Sequence, residues 1–256
     1  MNALTVRGLV LGEGIPKICV SITEASKDAI GKQTKVIMQS SVELVEWRVD
    51  FFDFDCPEEV IEFLPILRDL LGELPLIFTF RNLEEGGQKS LSPLQYTQLL
   101  KRAMETKCVD IIDIEVFKSG LSGDMLLHEL LSFARNHKVI TLASYHDFEG
   151  TPSEENLMAR LEHMEDLGVE LAKIAVMPKS EQDVQILLSV GKKYTAEDGH
   201  LPIVAISMGE LGKITRIGDQ SFSPAFTFGA LGKSSAPGQI HVDELRNFLF
   251  KQNYSS

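Results

Sequence analysis

A chain of 256 residues, 44% hydrophobic and 24% charged, has an ordinary globular composition and ample length for a large core. Lysines and arginines total 25 against 37 aspartates and glutamates, a net charge of -12, which argues against nucleic acid and anionic membranes as partners. A small anionic ligand stays open, because a local cluster of arginines reverses the potential inside one cleft.

From the N-terminus, Leu4–Leu11 with the turn Gly12-Glu13-Gly14 reads as a short strand and hairpin. Eight β-rich apolar runs follow: Lys17–Ile22, Leu44–Val49, Leu76–Phe80, Ile111–Val116, Val139–Ser144, Leu171–Val176, Ile203–Ser207 and Ala225–Phe228. Between them lie stretches of helical spacing, among them Pro57–Leu71, Pro93–Thr106, Met125–Asn136, Ser153–Leu167, Glu181–Ala196 and Val242–Gln252. Eight strands joined by crossover helices mean a parallel sheet, and eight is the number that closes a barrel. The expected fold is therefore α/β: a (β/α)8 TIM barrel over residues 1–256 as one catalytic domain. The N-terminal hairpin is expected to close the bottom of the barrel. Glu84–Gln88 and Lys233–Gln239 are small, Gly-rich loops of the kind that hinge over a ligand.

The three cysteines, Cys19, Cys56 and Cys108, have no paired or CxxC spacing. That suits a reducing cytosol and excludes a disulfide framework or thiolate zinc site. Met1-Asn2-Ala3-Leu4 opens no signal peptide, and no apolar run reaches the roughly 18 residues of a membrane helix. A cytoplasmic protein without a membrane partner is expected.

Side chains alternate along a strand, so residues two apart share a face. Glu46 and Arg48 share one, as do Thr79 and Arg81, Asp113 and Glu115, and Ser144 and His146; Lys173 interrupts the apolar strand Leu171–Val176. The apolar alternates suit the helix-facing side, which leaves the ionisable groups pointing into the barrel. Unpartnered buried charge is expensive, and barrel enzymes keep their chemistry at the C-terminal ends of the strands. Simpler readings compete. Lys173 has a structural use as a partner of Asp113 or Glu115, lone His146 as a hydrogen-bonded core histidine, and Glu46 with Arg48 as one buried ion pair. Asp113 and Glu115 read as structural groups that orient the cations, and His137 and His163 as solvated.

A lysine in a partly apolar barrel beside arginines favours the free amine, since burial and like charge both disfavour ammonium. A free amine attacks a ketone, and the resulting iminium acidifies the neighbouring carbon. His146 is the well-placed base, Glu85 is placed to orient its imidazole, and Arg48, Arg81 and Arg216 supply a clamp for a carboxylate or hydroxyls. The set needs no metal and no cofactor: no His/carboxylate spacing suits an ion, and no GxGxxG or Walker loop is present.

Seven segments in order resemble the type I 3-dehydroquinate dehydratases, the Schiff-base dehydratases of the shikimate pathway. They are Glu46–Asp50, Thr79–Arg81 with Glu85-Gly86-Gly87, Asp113–Glu115, Ser144–Phe148, Lys173–Pro178, Thr215-Arg216 and Ser235–Gln239. The resemblance implies a hydro-lyase converting 3-dehydroquinate to 3-dehydroshikimate through an imine on Lys173. It makes His146 the acid and base, held by Glu85, with Arg216 on the substrate carboxylate and Ser235 and Gln239 closing over it. Glu46, Arg48, Arg81 and Ser21 hold ring hydroxyls, and Met208 and Phe228 line the apolar side. Family members are commonly homodimers, so a homodimer is expected. Thr215 stands where serine is expected and Ile206 where some members carry methionine; both concern only the pocket wall. The alternative is another class I, imine-forming aldolase-type barrel lyase, which the surroundings of Arg81, Glu85 and Ser235–Gln239 suit less well.

Overall fold

A computed structural model describes residues 2–117, 125–196, 200–218, 222–232 and 235–254. Two short strands come first, β1 (Leu4–Val6) and β2 (Leu9–Leu11), followed by β3 (Lys17–Ile22), β4 (Leu44–Arg48), β5 (Leu76–Thr79), β6 (Ile111–Glu115), β7 (Ile140–Asp147), β8 (Leu171–Val176), β9 (Ile203–Ser207), β10 (Phe226–Ala230) and β11 (Ile240–His241). Strands β3 to β11 form one parallel sheet in the order β11-β10-β3-β4-β5-β6-β7-β8-β9. The sheet curls until its ends meet. The Ala225 amide, just ahead of β10, donates to the Ile203 carbonyl of β9 at 2.8 Å, so the seam rests on this contact rather than on a ladder.

The helices are α1 (Lys27–Met38), α2 (Pro57–Leu71), α3 (Pro93–Glu105), α4 (Met125–His137), α5 (Glu154–Asp166), α6 (Glu181–Ala196), α7 (Lys213–Ile217) and α8 (Val242–Tyr254). Their starts follow capping chemistry. Ser92 and Gln95 form a reciprocal capping box on α3 with Pro93 in the first turn, and Ser153 caps α5. Two helices fall outside the stretches marked in the sequence. In α1, Gly31 and Thr34 weaken helix propensity; α7 is barely more than one turn long.

One expectation is corrected at the N-terminus. The hairpin turns at Arg7-Gly8, not at Gly12–Gly14: Arg7 and Gly8 have φ of 45° and 79°, as a type I′ turn requires, and Leu4 pairs with Leu11. Val6 and Leu11 are buried with Cys19, Leu44, Ile77, Ile111, Leu142, Leu171 and Phe226, which sit low on the inward faces of their strands. The hairpin thus closes an apolar floor, as expected. Outward residues of the same strands pack on the helices. Trp47, between Glu46 and Arg48, is fully buried there against the edges of Phe52, Phe63 and Phe78, with centroids 5.7–5.8 Å away.

Two residues above that floor the inward positions turn polar. Cys19 gives way to Ser21, Leu44 to Glu46, Ile77 to Thr79, Ile111 to Asp113, Leu142 to Ser144 and Leu171 to Lys173, all of them buried. The barrel therefore carries a sealed base and a polar upper half, which opens at the C-terminal ends of the strands.

Candidate active site

A cavity of about 100 Å³ opens above the polar layer. Ser21, Glu46, Arg48, Arg81, Glu85, His146, Lys173, Met208, Arg216, Phe228, Ser235 and Gln239 all line it. The structure thus gathers every site residue expected from the sequence around one space. Lys233 and Ser234, the start of the expected final loop, lie outside the described residues. Gly86, Phe148, Ala175 and Ala236 line the cavity as well and were not singled out. Alternation would have found two of them, since Ala175 follows Lys173 by two and Phe148 follows His146 by two.

Lys173 projects from the middle of β8, nearly fully buried. Its Nζ lies 3.7 Å from Glu46 Oε1, 3.8 Å from Asp113 Oδ2 and 4.8 Å from the centroid of the Phe228 ring. Its charged partners are therefore carboxylates, where the sequence led us to expect arginines to dominate. Glu46 is fixed in turn by Ser21 Oγ, which donates to Oε2 at 2.6 Å, and by Thr79 Oγ1, which donates to Oε1 at 3.0 Å. Burial pushes the Glu46 carboxyl up, but Lys173, Arg48 and the Ser21 hydrogen bond outweigh it and hold the group below the ordinary carboxylate value.

His146, on β7, faces Glu85 from the 3₁₀ turn Leu83–Glu85. Glu85 Oε2 is 2.8 Å from the imidazole Nδ1 and accepts the His146 amide at 3.2 Å, so one carboxylate oxygen fixes both ring and backbone. Nδ1 is thereby committed to the carboxylate, which sets the orientation of the ring.

The three arginines are used differently. Arg81 is saturated: Nη2 donates to both oxygens of Asp113 at 2.9 and 2.8 Å, and Nη1 donates to Glu115 Oε1 at 3.0 Å and Ser144 Oγ at 2.9 Å. Desolvation alone would lower its pKa, but Asp113, Glu115 and Glu85 hold it well above the ordinary arginine value. The cation-orienting task expected of Asp113 and Glu115 is visible in these bonds. Arg48 pairs in bidentate fashion with Asp50, Nε to Oδ1 and Nη2 to Oδ2, both at 2.8 Å, so the alternative Glu46–Arg48 ion pair is not formed.

Arg216, carried by α7 beside the β9–β10 seam, has no carboxylate partner among the described residues. Its Nη2 donates to the Pro237 carbonyl at 2.8 Å, its Nη1 reaches the Phe228 carbonyl at 3.4 Å, and its Nε is buried without a partner. Burial lowers its pKa to about 10. The loop above it is also prearranged. Gln239 accepts from the Ser235 amide and donates to Ser235 Oγ, both at 2.9 Å. Gly238, at φ 75°, passes so near the Gly209 carbonyl that a Cβ there would lie 2.2 Å from its oxygen. No group of three or more His, Cys, Asp or Glu side chains suited to a metal ion occurs among the described residues.

A barrel holding a buried lysine, a carboxylate-oriented histidine and an uncompensated arginine at the C-terminal ends of its strands has the anatomy of an imine-forming barrel lyase for a small acid. The comparisons with known proteins narrow this class. A sequence model of the Type I 3-dehydroquinase family matches residues 18–255. The chain is 41% identical over 245 residues to the 3-dehydroquinate dehydratase of Clostridioides difficile, covering 95% of this chain and 94% of that protein. It is 38% identical over 250 residues to the Salmonella typhimurium 3-dehydroquinate dehydratase, covering 97% and 98%. Among solved structures, a type I 3-dehydroquinate dehydratase from Clostridium difficile with covalently modified comenic acid superposes with a TM-score of 0.93 at 40% identity, over 100% of this chain and 99% of that one. The chain belongs to the type I 3-dehydroquinase family.

Proposed function

We propose that this chain dehydrates 3-dehydroquinate to 3-dehydroshikimate through an imine on Lys173, as a hydro-lyase of the shikimate pathway. The observation that carries the reading is the buried amine of Lys173 sharing one cavity with a histidine whose Nδ1 is held by Glu85. The Lys173 amine adds to the C3 ketone and the adduct loses water, leaving an iminium. His146 Nε2 removes a proton from C2 and returns it to the C1 hydroxyl, which departs as water. Hydrolysis of the imine consumes one water and frees product and lysine. Glu46 and Asp113, anions within 4 Å of Nζ, favour the iminium charge as it forms.

Arg216 takes the substrate carboxylate, because a buried guanidinium without a counter-ion gains most from one. Ser21, Glu46, Arg48 and Arg81 face the ring hydroxyls, Met208 and Phe228 the apolar side, and Ser235 with Gln239 covers the bound acid. The whole chain serves as one catalytic domain. We place it in the cytoplasm as a homodimer: Cys19, Cys56 and Cys108 are free thiols, and no helix among the described residues is long and apolar enough to cross a membrane. Light scattering checks the dimer.

The test of the chemistry is borohydride reduction in the presence of 3-dehydroquinate. A reduced adduct should add its mass to the intact chain and map to Lys173, with loss of activity; an unchanged mass overturns the reading. Lys173→Ala should abolish turnover and the adduct while keeping the fold. His146→Ala should slow turnover severely and still allow some adduct.

A further inference from the structure

Asp50 does not line the cavity, is fully buried, and sits in the 3₁₀ turn Val49–Phe51 just past β4. Its four hydrogen-bond donors all come from segments that carry cavity residues. Oδ1 takes Arg48 Nε at 2.8 Å and the Arg81 amide at 3.4 Å; Oδ2 takes Arg48 Nη2 at 2.8 Å and the Gln88 amide at 3.1 Å. Arg81 and Gln88 are the two feet of the loop that holds Glu85 in its middle.

That loop is braced from within. The Asn82 carbonyl accepts from the amides of Glu85 and Gly87, and the Leu83 amide donates to the Lys89 carbonyl at 3.0 Å. A Cβ on Gly87 would lie 1.8 Å from the Arg81 carbonyl oxygen, so the chain doubles back on itself. Two buried carboxylates hold this unit from opposite sides. Glu115, at the end of β6, accepts the amide and the side-chain Nδ2 of Asn82 at 3.0 and 2.7 Å. Asp50 holds both feet from the β4 side, assisted by Lys89 Nζ on the Phe52 carbonyl at 2.5 Å. Without Asp50 the unit keeps Glu115 and the Lys89–Phe52 contact but loses the one group that holds both feet.

We infer that Asp50 is a positioning residue. One carboxylate sets the Arg48 guanidinium toward the ring hydroxyls and also fixes the loop that brings Glu85 to His146. The inference rests on the dehydratase reading above. A base displaced by about 1 Å loses on the order of 100-fold in rate, so a defect at this remote point should reach both binding and chemistry.

The experiment compares Asp50→Asn with Arg48→Ala, Glu85→Gln and the two double variants that include Asp50→Asn. Asparagine keeps the shape but turns N–H groups toward Arg48. Expected for Asp50→Asn are a KM raised about 10-fold and a kcat lowered about 10- to 100-fold, with the borohydride adduct on Lys173 retained. In the Arg48→Ala background it should raise KM no further, and in the Glu85→Gln background it should lower kcat no further. A folded Asp50→Asn enzyme with unchanged KM and kcat overturns the inference, as do effects that multiply fully in both double variants. Loss of the adduct in the unsubstituted enzyme overturns the dehydratase reading instead. Should Asp50→Asn not fold, Gln88→Pro carries the test. It deletes one N–H to the same carboxylate at an exposed position, and kcat should fall with KM nearly kept; an unchanged kcat overturns the inference.

Discussion

The two sides of the cavity answer the same problem, buried positive charge, in opposite ways. On the wall from β4 to β8, Arg81 is surrounded by Asp113, Glu115 and Glu85, and nearly every polar atom is matched inside the protein. On the wall beside the β9–β10 seam the neighbours are Ile206, Met208 and Phe228, and among the described residues Arg216 meets only backbone carbonyls. In the lattice of the first wall the arginine is fully paired, and taking it away would leave its carboxylates without a counter-charge. The second leaves its arginine desolvated, so its charge opposes folding until an anion arrives. A buried ion that weakens the empty fold points to a ligand, whereas a buried ion that is fully paired gives no such sign by itself.

Substitution at the two arginines would break this contrast most directly. Arg81→Leu leaves several buried carboxylates without their cation, which costs about 3–5 kcal/mol or more, a large share of a typical domain's stability. Urea unfolding should show a collapse of the midpoint or no folded protein at all; a midpoint like that of the unsubstituted chain would show the lattice to be dispensable. Arg216→Leu should do the reverse. Its KM should rise about 100-fold, a loss near 3 kcal/mol, while Tm stays level or climbs a few degrees. Saturating 3-dehydroshikimate should raise the Tm of the unsubstituted protein and leave that of Arg216→Leu unmoved. A Tm well below that of the unsubstituted chain would place Arg216 among the structural groups.

The smallest effect concerns Glu46, on the paired wall. Its folded pKa lies below the ordinary value of 4.5, so its contribution to stability is fully present above that pH and is lost as the pH falls through the folded value. The stability gap between the unsubstituted protein and Glu46→Gln, read from urea midpoints, should therefore be widest near pH 7 and narrow below about pH 4. A gap independent of pH would mean that the ring of cations around Glu46 contributes nothing to the fold.

The strands and their inward residues were legible because a parallel barrel obeys a period of two. Once Leu171–Val176 is a strand, Lys173 and Ala175 must share a face. The helix start at Ser153 was legible through capping chemistry. Partner choice was not. Arg48 has Glu46 two residues before it and Asp50 two residues after, and only the 3₁₀ turn beyond β4 decides for Asp50. Nor did alternation reveal that Lys173 sits between two carboxylates, because that proximity depends on the stagger of β4, β6 and β8 around the barrel. The hairpin turn was misplaced because Gly12–Gly14 is the stronger glycine signal, while Arg7 adopts a positive φ that its side chain does not advertise. Helix α7, five residues long, is too short to show a period, although it carries Arg216.

Trp47 is the single tryptophan of the chain, and it is sealed in an aromatic nest with no partner for its indole nitrogen among the described residues. It stands on β4 one peptide from Glu46 and one from Arg48, on the opposite face. The protein therefore carries its own optical probe. Its buried, apolar surroundings should set its emission at short wavelength and unfolding should move that emission to the red, so the strand that supports the hydroxyl-binding residues can be followed without any label.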